Sequence, residues 1–403
     1  MSNAAGLFKA LTYKKEVTYG LVPTASAAQA LRRISSDLSL KKDTYKSSEI
    51  RPDQQTADFR HGVRRVAGKI SGDLSPKTFA DFMGSFCRKV FAAVTPATAV
   101  SVTIAGSGPT YTVTRAAGSY LADGFKVGHV IRLSVGTLNA SNINKNLLIT
   151  ALTATVATVM TLNASSLVAE GPITGTTVTV QGKQTYIPTS GHVVESYSVE
   201  HWFSDVPASE VFSGCLINGF TATLQPTGIA TVDFDVMGQN ITAAAGQYFT
   251  SPTAATTTGS LAAVNGVVRA NGTTVGILTG LTITGVGGFT GEPVVGSNTI
   301  PAYYPGIVEV SGQATAYFDS TTLRDVFLNE TEIDIVGVFT ADNTAAADFV
   351  SFVMPRIKLG AHDKSDGIGA TTVTMPFQAL LNSAGGTGIA TEKTTLLIQD
   401  SQA

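Results

Sequence analysis

The strongest constraint in this sequence is a layout that occurs twice at fixed spacing. Gly62, Val66 and Gly68 recur 244 residues later as Gly306, Val310 and Gly312. Phe79 and Asp81 correspond to Leu323 and Asp325, and Ser75 to Asp319, at the same spacing. Upstream, with one residue of slip, Leu38 and Leu40 correspond to Leu281 and Ile283. Downstream, Gly228, Ile229, Phe234, Val236 and Gln239 correspond to Gly367, Ile368, Val373, Met375 and Gln378, now 139 apart. Fixed offsets over several strand-like runs are hard to obtain by chance and read as an internal duplication. The drop from 244 to 139 gives the first copy 105 extra residues between its helix and its last strands.

Each copy reads as mainly β. Val232, Phe234 and Val236 alternate with Asp233 and Asp235, and Phe220, Ala222 and Leu224 with Thr221 and Thr223. That period of two marks sheets with one buried and one wet face. Ser75-Pro76 reads as a helix start, because Ser caps and Pro suits the first turn. Phe79, Phe82, Met83, Phe86 and Val90 then form one apolar face at helical spacing. The extra residues carry short strand-like runs from Val100 to Val180 with Gly, Asn and Ser turns between them, a self-contained β-barrel or sandwich.

The chain therefore divides into residues 1–95 (first copy, with an N-terminal arm and a long loop), 96–186 (insert), 187–250 (rest of the first copy), 251–385 (second copy) and 386–403 (tail). The arm reads as ordered only against a neighbour. Residues 250–262, rich in Thr, Ala, Gly and Ser, read as a flexible connector.

The long loop joins two strand-like runs across Ser47–Gly62; along it and just beyond, Arg51, Arg60, Arg64 and Arg65 are interspersed with Glu49, Asp53 and Asp58. A loop this long without structure of its own is either disordered or held by a partner. The second copy has a less charged counterpart at Thr290–Gly306, containing Pro301, Tyr303 and Tyr304.

Charge narrows the partners. Only 14% of residues are charged, so much of the surface is neutral, which suits a subunit covered by neighbours. Residues 1–95 carry 16 Lys and Arg against 8 Asp and Glu, whereas the remainder carries 11 against 21. A basic end and an acidic end suit head-to-tail contact between copies. No long basic run or aromatic–basic motif points to sequence-specific nucleic-acid binding.

Little suggests chemistry. Cys87 and Cys215 sit among apolar neighbours and read as buried reduced thiols. The histidines at 61, 129, 192, 201 and 362 lack metal-ligand spacing, with His192 and His201 reading as surface residues. Asp233 and Asp235 could bind a cation or do acid–base work. The second copy has Thr372 and Thr374 at the matching positions, so a solvated sheet face explains them better. No nucleophile elbow or phosphate loop appears. No catalytic residue, cofactor or metal is expected, nor is a signal peptide or a run long enough to span a membrane. The chain reads as cytoplasmic when made.

Several stretches, taken in order, resemble the tail tube proteins of long-tailed bacteriophages. They are Tyr13–Gly20, Ser48–Asp53 running into Asp58–Gly62, Glu195–Asp205 with Trp202-Phe203, Pro305-Gly306 with Val310-Ser-Gly312, Phe327–Thr331 and Met375–Leu381. The resemblance implies two tandem tube-type β-sandwich domains, each with a short flanking helix. Sheets of neighbouring subunits would join into rings, a trimer giving six tube domains and a homohexamer being the alternative. Stacked rings would form a hollow virion tube around the tape measure protein and transiting DNA, ending at tail tip and terminator proteins.

Glu49, Arg51, Asp53, Asp58, Arg60, His61, Tyr303 and Tyr304 are then expected between rings, and Asp233 and Asp235 on the lumen wall. A capsid decoration protein or adhesin would share the composition but gives no reason for the duplicated loops. A carbohydrate-active or proteolytic enzyme lacks a catalytic constellation.

Overall fold

The alternation in the sequence becomes strand pairing almost everywhere it occurs. The computed structural model describes residues 4–163, 165–318, 321–366 and 368–403. Asp319 and Gly367, both matched above to residues of the first copy, lie outside them.

The first set of strands comprises β1 (Lys9–Lys15), β2 (Ser39–Lys46) and β3 (Phe59–Asp73). Helix α1 (Ala80–Phe86) follows. Strands β4 (Ala97–Ser107), β5 (Thr110–Arg115), β6 (Val130–Ser134), β7 (Leu147–Leu152), β8 (Val156–Thr161) and β9 (Glu170–Val180) close into a six-stranded barrel. Then come β10 (Tyr197–Phe203), β11 (Ala208–Leu224), β12 (Thr231–Gly238) and β13 (Asn240–Ala245). The second set is β14 (Gly266–Ala270), β15 (Leu278–Val286), β16 (Glu309–Tyr317), helix α2 (Thr322–Leu328), β17 (Ile333–Thr340), β18 (Phe349–Leu359), β19 (Thr372–Ala379) and β20 (Leu397–Asp400). Short bridges complete the sheets.

One strand order appears twice. In the first set β1 pairs β10, β10 pairs β11, β11 pairs β12, β12 pairs β3 and β3 pairs β2, all antiparallel. In the second set β14, β17, β18, β19, β16 and β15 pair in the same succession. The irregularities match as well. Register shifts between Tyr197↔Cys215 and Val199↔Phe212 in one set, and between Ile333↔Ile357 and Ile335↔Met354 in the other.

With those bulges superposed, Val66 corresponds to Val310 through the pairing partners, as the sequence spacing has it. The flanking strands differ from the sequence expectation by two residues each. Leu38 lies against Gly68, whereas Ile283 is opposite Gly312, so Leu38 answers to Ile283 and not to Leu281. Phe234 is opposite Ile70 and Met375 is opposite Ala314, so Phe234 answers to Met375 and not to Val373. Asp233 and Asp235 accordingly answer to Thr374 and Pro376. A two-residue slip preserves every side chain's face, so the alternation cannot detect it.

Both sets bury their apolar faces in one core. Phe82 lies 5.4 Å from Phe234 and 4.9 Å from Tyr13, linking β12 to β1, and Phe86 stacks edge-on against Phe220 at 4.8 Å. Burying each such side chain contributes about 1.5–3 kcal/mol. The helix can lie this close because Gly285 has no Cβ, which would come within 2.3 Å of the Phe86 ring. It starts at Ala80, later than Ser75-Pro76 suggests: Lys77 has φ +69°, outside the helical region, and Ser75 Oγ bonds Thr78 Oγ1 instead of capping. Val90 lies beyond the helix and is exposed.

Other expectations change on folding. Residues 9–15 of the arm are an integral strand of this chain's own sheet. The 250–262 connector is packed down: Leu261 is fully buried, and Arg32 donates to the Thr256 and Thr258 carbonyls. His201 is buried with its Nε2 2.8 Å from Ser36 Oγ.

The barrel has its own core, which includes Tyr120, Phe125, Val159 and Val178. It seats on the outer face of the second set through Val130, Leu148 and Leu162, packed with Val336, Val338, Phe349, Val353 and Leu397. Strand β20 fastens this joint. It pairs with β18 on one side and with residues 183–186 on the other, and Gln399 bonds both the N–H and the carbonyl of Val130.

Candidate assembly surfaces

Strand β11 is long enough to serve two sheets. Its first half lies between β10 and β13, and its second half between β12 and β15. The β11–β15 pairing, Gly219↔Val286 through Leu224↔Leu281, therefore sews the two sets into one continuous wall. In order, that wall is β2, β3, β12, β11, β15, β16, β19 and the run formed by the end of β18 with Asp363-Lys364.

One face of the wall is core. The other carries the intervening residues, mostly Thr, Ser and Gln, such as Thr221, Thr284, Ser311, Gln313 and Thr374. Thr221, Thr284, Ser311 and Thr374 are half-buried, Gln313 is exposed, and none of the five is charged. Charge on this face concentrates in the first set. There Lys69 reaches Asp235 at 3.3 Å, both side chains about half exposed, so the lysine offsets one of the two carboxylates. Asp233 stands opposite Ser71, two residues along β3 from Lys69. Asp233 and Asp235 thus share one wet face.

The wall ends in two open edges. Among the described residues, the side of β2 turned away from β3 has no backbone partner. At the other end, among the described residues, the run 359–365 has backbone partners only on its β19 side, including Gly360 N to Pro376 O at 2.7 Å. Open edges are a hazard in a monomer unless something covers them. Lys41 and Lys42 on β2 are the kind of charged residue that blunts such an edge.

The two loops leave the same end of the wall as hairpins but are held differently. The first is shorter than the sequence suggests, since Lys46 pairs with Phe59 and only residues 47–58 form the loop. All twelve positions from Ser47 to Asp58 are surface residues, and its ion pairs close on themselves: Arg51 with Asp53 at 2.9 Å and Arg60 with Asp58 at 2.7 Å. The bond from Arg51 holds the Asp53 carboxyl below its ordinary range. Glu49 is exposed beside them, and His61 lies edge-on to Phe59 at 5.2 Å.

The second loop is docked. Thr290 and Tyr304 bond each other's backbone, and Asn298 O accepts from Arg64 N at 2.9 Å. Ile300 is buried, its carbonyl accepting from Gln239 Nε2. Tyr303 packs against Tyr19, with its hydroxyl near Gly238 O, and burial raises its pKa. Tyr303 is thus engaged within its own chain, whereas Tyr304 is two-thirds exposed. The sequence treats the two loops alike; the neighbouring β3 and β12 available to one of them explain the difference.

The remaining titratable groups are structural. Burial pushes the Cys87 thiol up to about 12, and both cysteines are free and buried. Burial, with Lys9 and Arg33 nearby, lowers His201 to about 3. No group of three metal-ligating side chains occurs among the described residues, and no helix there is long and apolar enough to cross a membrane.

The sequence pattern of the phage tail tube protein family matches residues 9–379. The chain belongs to that family. The match runs from the first strand of the first set to the last residue of β19. No curated protein matches the chain. Among solved structures, the tail tube of phage SPP1, determined by solid-state NMR and cryo-EM, is similar at 16% identity. That similarity covers 34% of this chain and 78% of the other, with a TM-score of 0.24. The tail tube family places the protein in the virion tail as a structural component.

Proposed function

We propose that the chain self-assembles into stacked rings forming a hollow phage tail tube through which the genome leaves the virion. The observation that carries this is the eight-stranded wall with one largely polar face and an open edge at each end. The two strand sets act as two tube domains, so three chains complete a ring of six. Sheet continuation from chain to chain converts the open edges into the assembly surface.

The polar face, opposite α1 and the core, lines the lumen. A basic wall would hold DNA by counterion release. A wall largely of Thr, Ser and Gln, with Lys69 matched by Asp235 and Arg65 by Asp43, has little free positive charge to bind a phosphate backbone. Asp233 and Asp235 sit there, facing the tape measure protein before ejection and DNA during it. The hairpin end of the wall, with Glu49, Arg51, Asp53, Asp58, Arg60, His61 and the exposed Tyr304, meets the next ring. Tail tip and terminator proteins cap the two ends of the tube after assembly in the host cytoplasm. The barrel, seated on the outer face, projects from the tube surface.

Electron microscopy of the purified protein, alone and with tail initiation complexes, tests the reading. Hollow tubes with three-fold rings are expected. Scattered monomers under both conditions would overturn it.

A further inference from the structure

The seam inside the chain is a template for the seam between chains. Within one chain the second half of β11 is joined by β15, with Thr221 opposite Thr284 and Phe220 opposite Gly285. The second set has its own counterpart of β11, the run through β18 to Lys364, and the first set has its own counterpart of β15, namely β2. Both are open on the matching side.

The correspondence is fixed at residue level. Thr221 is opposite Asp233 in β12, and Asp363 is opposite Thr374 in β19. Since Asp233 answers to Thr374, Asp363 answers to Thr221. By the same route through β3 and β16, Thr284 answers to Ser39: Thr284 is opposite Ser311, and Ser39 is opposite Ala67, two strictly corresponding positions.

We infer that β2 of one chain pairs antiparallel with residues 359–365 of the next in this register, placing Ser39 opposite Asp363 and Leu40 opposite His362. The occupant of each open edge is a second copy of this chain. The inference rests on the ring reading above and adds its register. The faces agree with it. Ser39 is exposed on the polar side, while Leu40 is partly buried against the core. Asp363 is exposed, and His362 turns inward, edge-on to Phe318 at 6.1 Å. A shift of one residue would turn Leu40 into the polar face, and a shift of two would break the match to the internal seam.

Paired cysteines test the register. Directly opposed residues of an antiparallel pair lie within disulfide range, whereas residues two positions off lie beyond it. The native Cys87 and Cys215 are buried and do not compete. Ser39→Cys/Asp363→Cys is expected to give interchain disulfides in mildly oxidised tubes, seen as a ladder ending at the ring size on a non-reducing gel. Thr221→Cys/Thr284→Cys should close within one chain under the same conditions and so calibrates the oxidation.

Crosslinking by Ser39→Cys with Ala361→Cys or Ser365→Cys in its place would overturn the register while leaving the ring intact. So would tubes in which no pair crosslinks although the internal pair does. If the wild-type protein builds no rings or tubes, the functional reading falls and this inference with it. Should the double variant fail to fold, a side-chain-resolved map of wild-type tubes reads the same register directly.

Discussion

The two strand sets share an order, a pair of bulges and a polar face, yet they hold themselves together differently. In the first, α1 is clamped by Phe79, Phe82, Met83 and Phe86, all buried. In the second, only Val326 of α2 is fully buried. The outer faces also differ. Glu200 of β10 is fully buried and accepts from Thr12 Oγ1 and from the backbone N–H groups of Tyr248 and Phe249, which cover that sheet. The corresponding position of β17, Val336, is covered by the apolar base of the barrel. The insert therefore has a structural place: it covers in the second set the position that Tyr248 and Phe249 cover in the first. One architecture tolerates either cover because each satisfies the groups it buries.

The largest expected effect lies in the helices. Phe82→Ala should destabilise the subunit by about 3–5 kcal/mol, the usual cost of emptying an aromatic core site. Leu323→Ala on the partly buried α2 should cost roughly 1 kcal/mol, since exposed and half-exposed substitutions are milder. Denaturant unfolding of the two variants measures the difference, and equal losses would break the asymmetry between the halves.

The loops come next. Excising residues 49–57 should leave subunit stability nearly unchanged, because that segment bonds only within the exposed loop Ser47–Asp58, but should abolish ring stacking. Excising residues 293–301 should instead lower the melting temperature, since it removes buried Ile300 and the backbone bond to Arg64. Melting curves read beside micrographs separate the two; full-length tubes from the first variant would refute its stacking role.

A third contrast is with pH. His201 has no counterpart among titratable groups of the second set, where Gly337 takes the corresponding place in β17. Its folded pKa is lowered to about 3, below the unfolded value near 6.5, so its contribution is present above about pH 6.5 and is lost as pH falls toward 3. His201→Gln, which keeps a partner for Ser36 Oγ without titrating, should flatten the acid side of the stability curve by roughly 2–3 kcal/mol at pH 4. Urea titrations at pH 7 and 4 test this; an unchanged difference between the two pH values would refute it.

The smallest effect on folding belongs to the polar wall. Asp235→Asn breaks a half-exposed pair with Lys69 and should cost about 0–1 kcal/mol. Reversal of both Asp233 and Asp235 to Lys should leave tubes intact but slow genome delivery, measured as DNA release. Unaltered release would remove these residues from the lumen wall.

Much of this was legible in the chain. Alternation such as Val232–Val236 specifies which side chains face the core, because strand geometry puts neighbours on opposite faces. The apolar stripe of the helix was readable for a similar local reason. Register was not: slips of two residues at Leu38 and Phe234 leave every face unchanged, so only the backbone pairing decides between them. Nor was the fate of His201, Leu261 or the Tyr303 loop, whose burial depends on surfaces brought from distant parts of the chain. Residue pattern alone was enough for a mainly β chain with two-faced strands. That β11 spans both layers and joins β15 emerges only in the folded chain, because that seam forms between strands far apart in the sequence. The same seam leaves β2 and the 359–365 run as the two edges still open.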